Sequence, residues 1–236
     1  VIKRTLLERL KTAEALSKQE LRKISANAQK TLNEIMALGW VKETSRPAAT
    51  EPPATSAPKL NAEQVHALRP IRLGEFACWL LFGITGSGKT ELYTSLISQV
   101  LEQGKQALLL VPEINLSPQL EALLRGRFPQ HRVVCLHSGL SDGERLENWL
   151  LAQSGEAQVI LGTRLAVFVP APNLALIIVD EEHDASFKQQ EGLRYSARDV
   201  AIFRAKQANV PVVLGSATPA LESYHHALSG RYRMAT

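Results

Sequence analysis

Two short stretches of this chain carry residue types whose spacing could act together on a phosphate. The run Gly83-Ile-Thr-Gly-Ser-Gly-Lys89-Thr90 fits G-x-x-x-x-G-K-[ST] in full. Glycines at 83, 86 and 88 let backbone N–H groups approach phosphate oxygens, with Thr85 and Ser87 between them, and a following helix N-terminus adds partial positive charge. Lys89 is expected to reach the β- and γ-phosphates of ATP, and the Thr90 hydroxyl to ligate Mg²⁺. The second stretch, Leu174 to Val179, is an apolar run closed by Asp180-Glu-Glu-His183. A single Asp after a strand is often a turn residue or helix cap. Adjacent carboxylates repel one another, so a run of them implies a compensating cation or proton. Asp180 is expected to hold the hydrated Mg²⁺ and Glu181 to orient and deprotonate an attacking water.

Such residues work only if strands and helices deliver them to one edge of a sheet. Hydrophobic patterning predicts strands over 76–82, 106–111, 132–136, 158–161, 174–179 and 210–214. It predicts helices over 91–103, 117–127, 142–153 and 196–207. Strands alternating with helices imply right-handed crossovers and an α/β fold with a mainly parallel sheet covered on both faces. Ligands of open α/β sheets bind at the carboxyl ends of the strands, where both stretches fall.

The segment before this domain differs in character. Residues 1–46 hold ten Lys and Arg against five Asp and Glu, leaving 17 against 18 in the rest, so the net charge of +4 originates here. Residues 1–43 read as three short helices, with Ser17-Lys-Gln-Glu20 as a capping box and Asn27 capping the third, before a strand near Trp40. That is the outline of a winged helix presenting Gln29, Lys30 and Asn33, or of a plain helical bundle. Residues 44–59 contain four prolines and read as a flexible linker, so the α/β domain is expected over 60–236. Cys78 and Cys135 stand far apart, which excludes a zinc cluster or disulfide framework and fits a reducing cytoplasm. No apolar run is long enough to span a membrane as a helix. A start at Val1 rather than Met is expected of a piece of a longer protein.

In order along the chain, GITGSGKT, GTR at 162–164, DEEH and Gly215-Ser-Ala-Thr-Pro219 resemble motifs I, Ib, II and III of superfamily 2 helicases. Pro112-Glu-Ile, Ser117-Pro-Gln, Leu136-His-Ser-Gly139 and the long run 180–199 narrow the resemblance to the bacterial primosomal helicases of replication restart. Residues 60–225 carry it closely. Departures from the family pattern are Leu165, where Ser usually follows GTR, and Asn115, where Gly is common. The resemblance implies a RecA-like P-loop lobe, preceded by that family's winged helix, in a 3′-to-5′ ATP-dependent DNA helicase. It implies Gln64 as an adenine contact, and Ser216 and Thr218 as coupling residues. Thr163 and Arg164 would be DNA-backbone contacts. Phe187, Lys188, Arg194, Tyr195 and Arg198 would form an aromatic-rich loop that senses single-stranded DNA, where rings stack bases and cations pair phosphates. Implied partners are forked or single-stranded DNA, single-stranded-DNA-binding protein and other primosome proteins, at the bacterial nucleoid. Motor ATPases of this kind work between two lobes, and the family's second lobe, zinc module and 3′-end-binding domain lie outside this sequence. The chain alone is therefore expected to bind nucleotide, hydrolyse it slowly and unwind nothing.

Three other readings compete. A P-loop phosphotransferase would need an acceptor pocket, whereas GTR and HSG fill the space between the two phosphate motifs. An ATP-sensing winged-helix regulator would have no need of a hydrolytic Glu181. An RNA helicase shares the motor, and DEEH leans toward DNA-acting relatives by analogy alone.

Overall fold

The computed structural model describes residues 28–37 and 60–235, Thr85 excepted. The chain divides into two units, residues 1–50 and 51–236. In the first, the described part is helix α1 (Ala28–Ala37), which lies where the third N-terminal helix was expected. Lys30 and Asn33 on it are exposed. The rest of the expected winged helix and the linker 44–59 fall outside the described residues.

The second unit opens with α2 (Ala62–Leu68). Its start is fixed by a reciprocal cap: Gln64 N donates to Asn61 Oδ1 at 2.8 Å, and Asn61 N donates to Gln64 Oε1 at 3.0 Å. Then come β1 (Cys78–Phe82), α3 (Lys89–Glu102), β2 (Gln106–Leu110), α4 (Pro118–Arg127), β3 (Arg132–Leu136), α5 (Asp142–Gln153) and β4 (Ala157–Gly162). A 3₁₀ turn (Arg164–Phe168) leads to β5 (Leu174–Asp180), and a second (Ala185–Phe187) leads to α6 (Ala197–Ala208). The unit closes with β6 (Val212–Ser216), α7 (Leu221–Leu228) and β7 (Arg233–Ala235). Serines at 117, 141 and 196 cap α4, α5 and α6, each accepting a backbone N–H three residues on.

The seven strands form one sheet in the order β3-β4-β2-β5-β6-β1-β7, and every pairing is parallel. The central strands are buried on both faces, as parallel sheets require, so they read as continuous apolar runs. Successive side chains still divide between two cores. Trp79, Leu81, Leu109 and Ile178 pack with α3 and α4 residues such as Leu96, Ile97 and Leu124. Leu80, Leu108, Ile177 and Leu214 pack on the opposite face. There α6 contributes Ala197, Ala201 and Ala205, a fully buried four-residue repeat of methyl groups that lets the helix lie close to the sheet.

Several boundaries differ from the sequence expectation, each for a local reason. β6 begins at Val212 rather than 210 because Pro211 has no N–H to donate, and it runs on to Ser216. β5 extends through Asp180, which puts the first carboxylate on the strand itself. α3 begins at Lys89, two residues earlier than expected, so Lys89 and Thr90 stand in its first turn. α2, α7 and β7 were not anticipated as elements.

One buried polar side chain bolts the amino end of the sheet. Gln106, 1% exposed, donates through Nε2 to Ala152 O (2.9 Å) and Ala157 O (2.7 Å), and its Oε1 accepts from Asn173 N (3.0 Å). Gln106→Leu would strand two carbonyls and one N–H away from water. We expect it to cost about 2–4 kcal/mol in chemical denaturation with an unchanged m-value. A loss below about 1 kcal/mol would mean that water takes over those bonds.

Candidate nucleotide site

The site sits where β1, β5 and β6 end together. The backbone of the phosphate loop turns through Gly86 (φ +80°) and Gly88 (φ +81°), a region that costs other residues strain. Close approach also matters at two glycines. A Cβ on Gly83 would lie 2.8 Å from Ser87 Oγ, and one on Gly88 would lie 2.6 Å from Gln64 Nε2. Gln64, capped into α2, donates to Ser87 O at 3.0 Å, so its side chain touches the phosphate loop. Lys89 donates to Gly83 O at 3.0 Å and stands 3.9 Å from Glu181 Oε1. Thr90 is half-buried beside it in the first turn of α3, and Thr85 lies outside the described residues.

Residues present here fit a nucleoside triphosphate with Mg²⁺. The glycine cradle would be filled by added Cβ atoms, the helix N-terminus opens onto it, and Ser87 Oγ is buried without a partner. Among the described residues no group of three or more His, Cys, Asp or Glu could hold a metal by itself. Mg²⁺ suits such a place because it is typically held by one or two carboxylates together with substrate phosphates. Thr90 and Asp180 are the side chains available for it.

The acidic run is partnered residue by residue. Asp180 accepts from Tyr93 Oη at 2.8 Å. Burial pushes its carboxyl above the usual range, and the Tyr93 hydrogen bond pulls it down. The Tyr93 phenol is itself pushed well above its ordinary value by burial and then by Asp180. Glu181 has φ +46°, a strained backbone for a side-chain-bearing residue, and is 27% exposed. Strain of this kind concentrates at working sites. Glu182 points the other way, fully buried, and accepts from Arg198 (3.1 Å), Ser223 Oγ (2.7 Å) and Ala220 N (2.7 Å). His183 contacts Ser216 Oγ through Nδ1 (2.8 Å) and Thr218 Oγ1 through Nε2 (3.3 Å). The stretches DEEH and GSAT are thereby joined side chain to side chain, and Glu182 N donates to Gly215 O as well.

The residues expected to meet DNA divide. Lys188 and Arg194 are exposed on a short loop closed by the Lys188–Ser196 bridge and by Gln189 N donating to Tyr195 O. Tyr195 is half-buried, its ring edge-on to Phe168 with centroids 4.9 Å apart. Arg164 donates to Ser186 O (2.8 Å) and Lys188 O (3.3 Å), which ties the 3₁₀ turn to the base of that loop. Three residues correct the expectation. Phe187 is 2% exposed and belongs to the core beneath α6, so its ring has no face for a base. Thr163 is 3% exposed and buried at the end of β4. Arg198 is held inward by Glu182, because a fully buried carboxylate demands a cation more strongly than a solvated phosphate would. Sequence reasoning missed Tyr93 and Glu182. A spacing of four residues from Lys89 to Tyr93 was the available signal for the first, since it sets both on one face of α3.

Comparisons with known proteins agree with this geometry. The DEAD/DEAH box helicase family matches residues 61–227. The chain is 43% identical over 225 residues to the replication restart protein PriA of Bacillus subtilis, covering 91% of this chain and 28% of that one. It is 50% identical over 182 residues to the PriA of Chlamydia pneumoniae, covering 75% of this chain and 24% of that one. The chain thus spans about a quarter of the length of the curated relatives it matches. Among solved structures, RecG bound to a three-way DNA junction superimposes with a TM-score of 0.53 at 24% identity, covering 75% of this chain and 23% of that one. The DEAD-box helicase Mss116 bound to single-stranded RNA gives 0.54 at 18%, covering 71% and 37%. These two likenesses establish the fold.

The Glu182–Arg198 pair generates a stability prediction. Arg198→Ala would leave a fully buried carboxylate without its cation, and we expect a loss of about 3–5 kcal/mol by urea denaturation. A change under about 1 kcal/mol would mean that the bonds from Ser223 and Ala220 suffice.

Proposed function

The chain belongs to the DEAD/DEAH box helicase family, and from that premise we propose that it is the ATP-binding lobe of a 3′-to-5′ DNA helicase that restarts replication. The observation that carries this reading is the convergence of Lys89, Asp180 and Glu181 on a phosphate loop, in a chain 40–50% identical to several PriA proteins.

The chain's own residues divide the work. Backbone N–H groups of residues 83–90 and the Lys89 ammonium bind the triphosphate and draw charge off the γ-phosphate. Mg²⁺, when bound, neutralises phosphate charge, and Thr90 and Asp180 are the residues to hold it. Glu181 is placed beside Lys89 to orient the attacking water and accept its proton. Gln64 lies against the loop at Ser87 and is the candidate to read adenine. His183, Ser216 and Thr218 form the linkage by which a change at Glu181 reaches the GSAT segment. Lys188, Arg194 and Tyr195, with Arg164 at the base of their loop, are the DNA-facing set.

The domain plan extends the reading: a winged helix over 1–43, a linker over 44–59 and the lobe over 60–236. Helix α1, with Lys30 and Asn33 exposed, supports the first of these, and the boundary at 50/51 falls within the second. DNA, forked or single-stranded, is the proposed substrate, with single-stranded-DNA-binding protein and primosome proteins as partners at the nucleoid. No helix among the described residues is long and apolar enough to cross a membrane. Because a second lobe completes such sites, this chain alone should bind ATP and turn it over slowly.

Titration of a fluorescent ATP analogue with Mg²⁺ tests the reading directly. Lys89→Ala should abolish saturable binding. Glu181→Gln in the full-length protein should keep binding and lose about 10²–10⁴-fold of DNA-stimulated turnover. Undiminished turnover in the Gln variant would sink the assignment of Glu181 as the base.

A further inference from the structure

Tyr93 occupies a place that the reading above leaves unused. It is 2% exposed, in the second turn of α3, one turn past Lys89. Its hydroxyl reaches across to β5 and donates to Asp180 Oδ1 at 2.8 Å. To do so it crosses β6 at Gly215, the first residue of the GSAT stretch. A Cβ on Gly215 would overlap the Tyr93 hydroxyl and come within 2.8 Å of the ring carbon bearing it. Gly215 has no positive φ, so backbone freedom does not account for a glycine there. The space it leaves is the space the phenol uses.

We infer that Tyr93 is a positioning residue for the metal-binding carboxylate: its hydroxyl, admitted by the missing side chain at Gly215, fixes the Asp180 carboxylate for Mg²⁺. The inference rests on Asp180 being the Mg²⁺ carboxylate, as proposed above. A carboxylate at a strand end can turn about its last bond, and each orientation presents different oxygens. One rigid phenol donor removes that freedom. Tyr93 and Lys89 share one helix, so the group that holds the phosphate and the group that holds the metal's carboxylate move as one body. Partners of this kind, one bond removed from the metal, typically govern affinity for it by about 10–100-fold. The bland alternative is that Asp180 merely satisfies a buried phenol. It predicts that removing the oxygen leaves Mg²⁺ affinity untouched.

The test is Tyr93→Phe, which deletes one oxygen and keeps the ring in the core. Binding of a fluorescent ATP analogue is measured against Mg²⁺ concentration and again in EDTA, with a thermal melt alongside. The expected result is a rise of about tenfold in half-saturating Mg²⁺. Affinity in EDTA should stay within about twofold of the parent, since no phosphate contact is lost. Gly215→Ala, which displaces the ring, should reproduce the Mg²⁺ defect. The double variant should be no worse than the stronger single one, because both remove the same contact. Half-saturating Mg²⁺ for Tyr93→Phe within about twofold of the parent, even with a lowered melting temperature, would overturn the inference. Lys89→Ala is the control for the underlying reading. If that variant still binds the Mg²⁺-loaded analogue like the parent, the nucleotide site is elsewhere and the reading falls first.

Discussion

Three consecutive carboxylates at the end of one buried strand set the electrostatic problem that the rest of the lobe solves. Asp180, Glu181 and Glu182 would repel one another and resist burial if left together. The chain separates them by turning the backbone at Glu181 into a left-handed conformation. Each carboxylate then meets a different neighbour: a phenol from α3, an ammonium also from α3, and a guanidinium from α6 reinforced by α7. The strain at Glu181 is the cost of sending adjacent side chains to opposite sides of the sheet. In return the middle carboxylate is the one left partly open and close to Lys89, the geometry on which its proposed role rests.

That arrangement explains what the sequence made legible. The phosphate loop, the alternation of strands and helices, and the acidic strand end are local signals, written within a few residues, and they stand in the structure where the pattern put them. Partner choice is not local. Tyr93 and Asp180 are 87 positions apart, and Arg198 and Glu182 are 16 apart. No spacing rule links such residues before the sheet order is known. Phe187 shows a second kind of limit. An aromatic beside basic residues suits base stacking and core packing equally well, and only the fold, which tucks it beneath α6, separates the two. β7 escaped for a simpler reason: three residues are too few to display a period of two. Residues 28–37 are helical, while the rest of the winged helix expected around them lies outside the described residues.

The same network ranks the parts of the lobe by rigidity. Glu182 is fixed from three directions and anchors the starts of α6 and α7. Between it and α6 runs the loop of residues 188–196, pinned at its base by Arg164 and by the Lys188–Ser196 bridge. Its tip is open, with Leu193 79% exposed. Few buried contacts at the tip and many at the base are the marks of a segment that opens at low free energy while its ends stay put. A displacement of the base is another matter. Pulling the start of α6 away would leave Glu182 buried without its cation, a penalty that a surface loop does not face.

Motion at the tip therefore has a restricted set of routes inward. One runs through Arg164, whose guanidinium is bonded to two carbonyls of the loop's base and whose backbone begins the 3₁₀ turn after β4. The other runs through the loop's own chain to Asp184, whose N–H is bonded to Glu181 O at 2.8 Å. The second route ends on the strained residue itself. Backbone strain is stored at few positions in a fold, and coupling between sites requires a two-state element rather than mere proximity. His183, one residue before Asp184, is hydrogen-bonded to Ser216 and Thr218. Glu181, beside Lys89, and the exposed loop of residues 188–196 are thus joined through one turn of chain, 181–184, which is also bonded to the GSAT stretch.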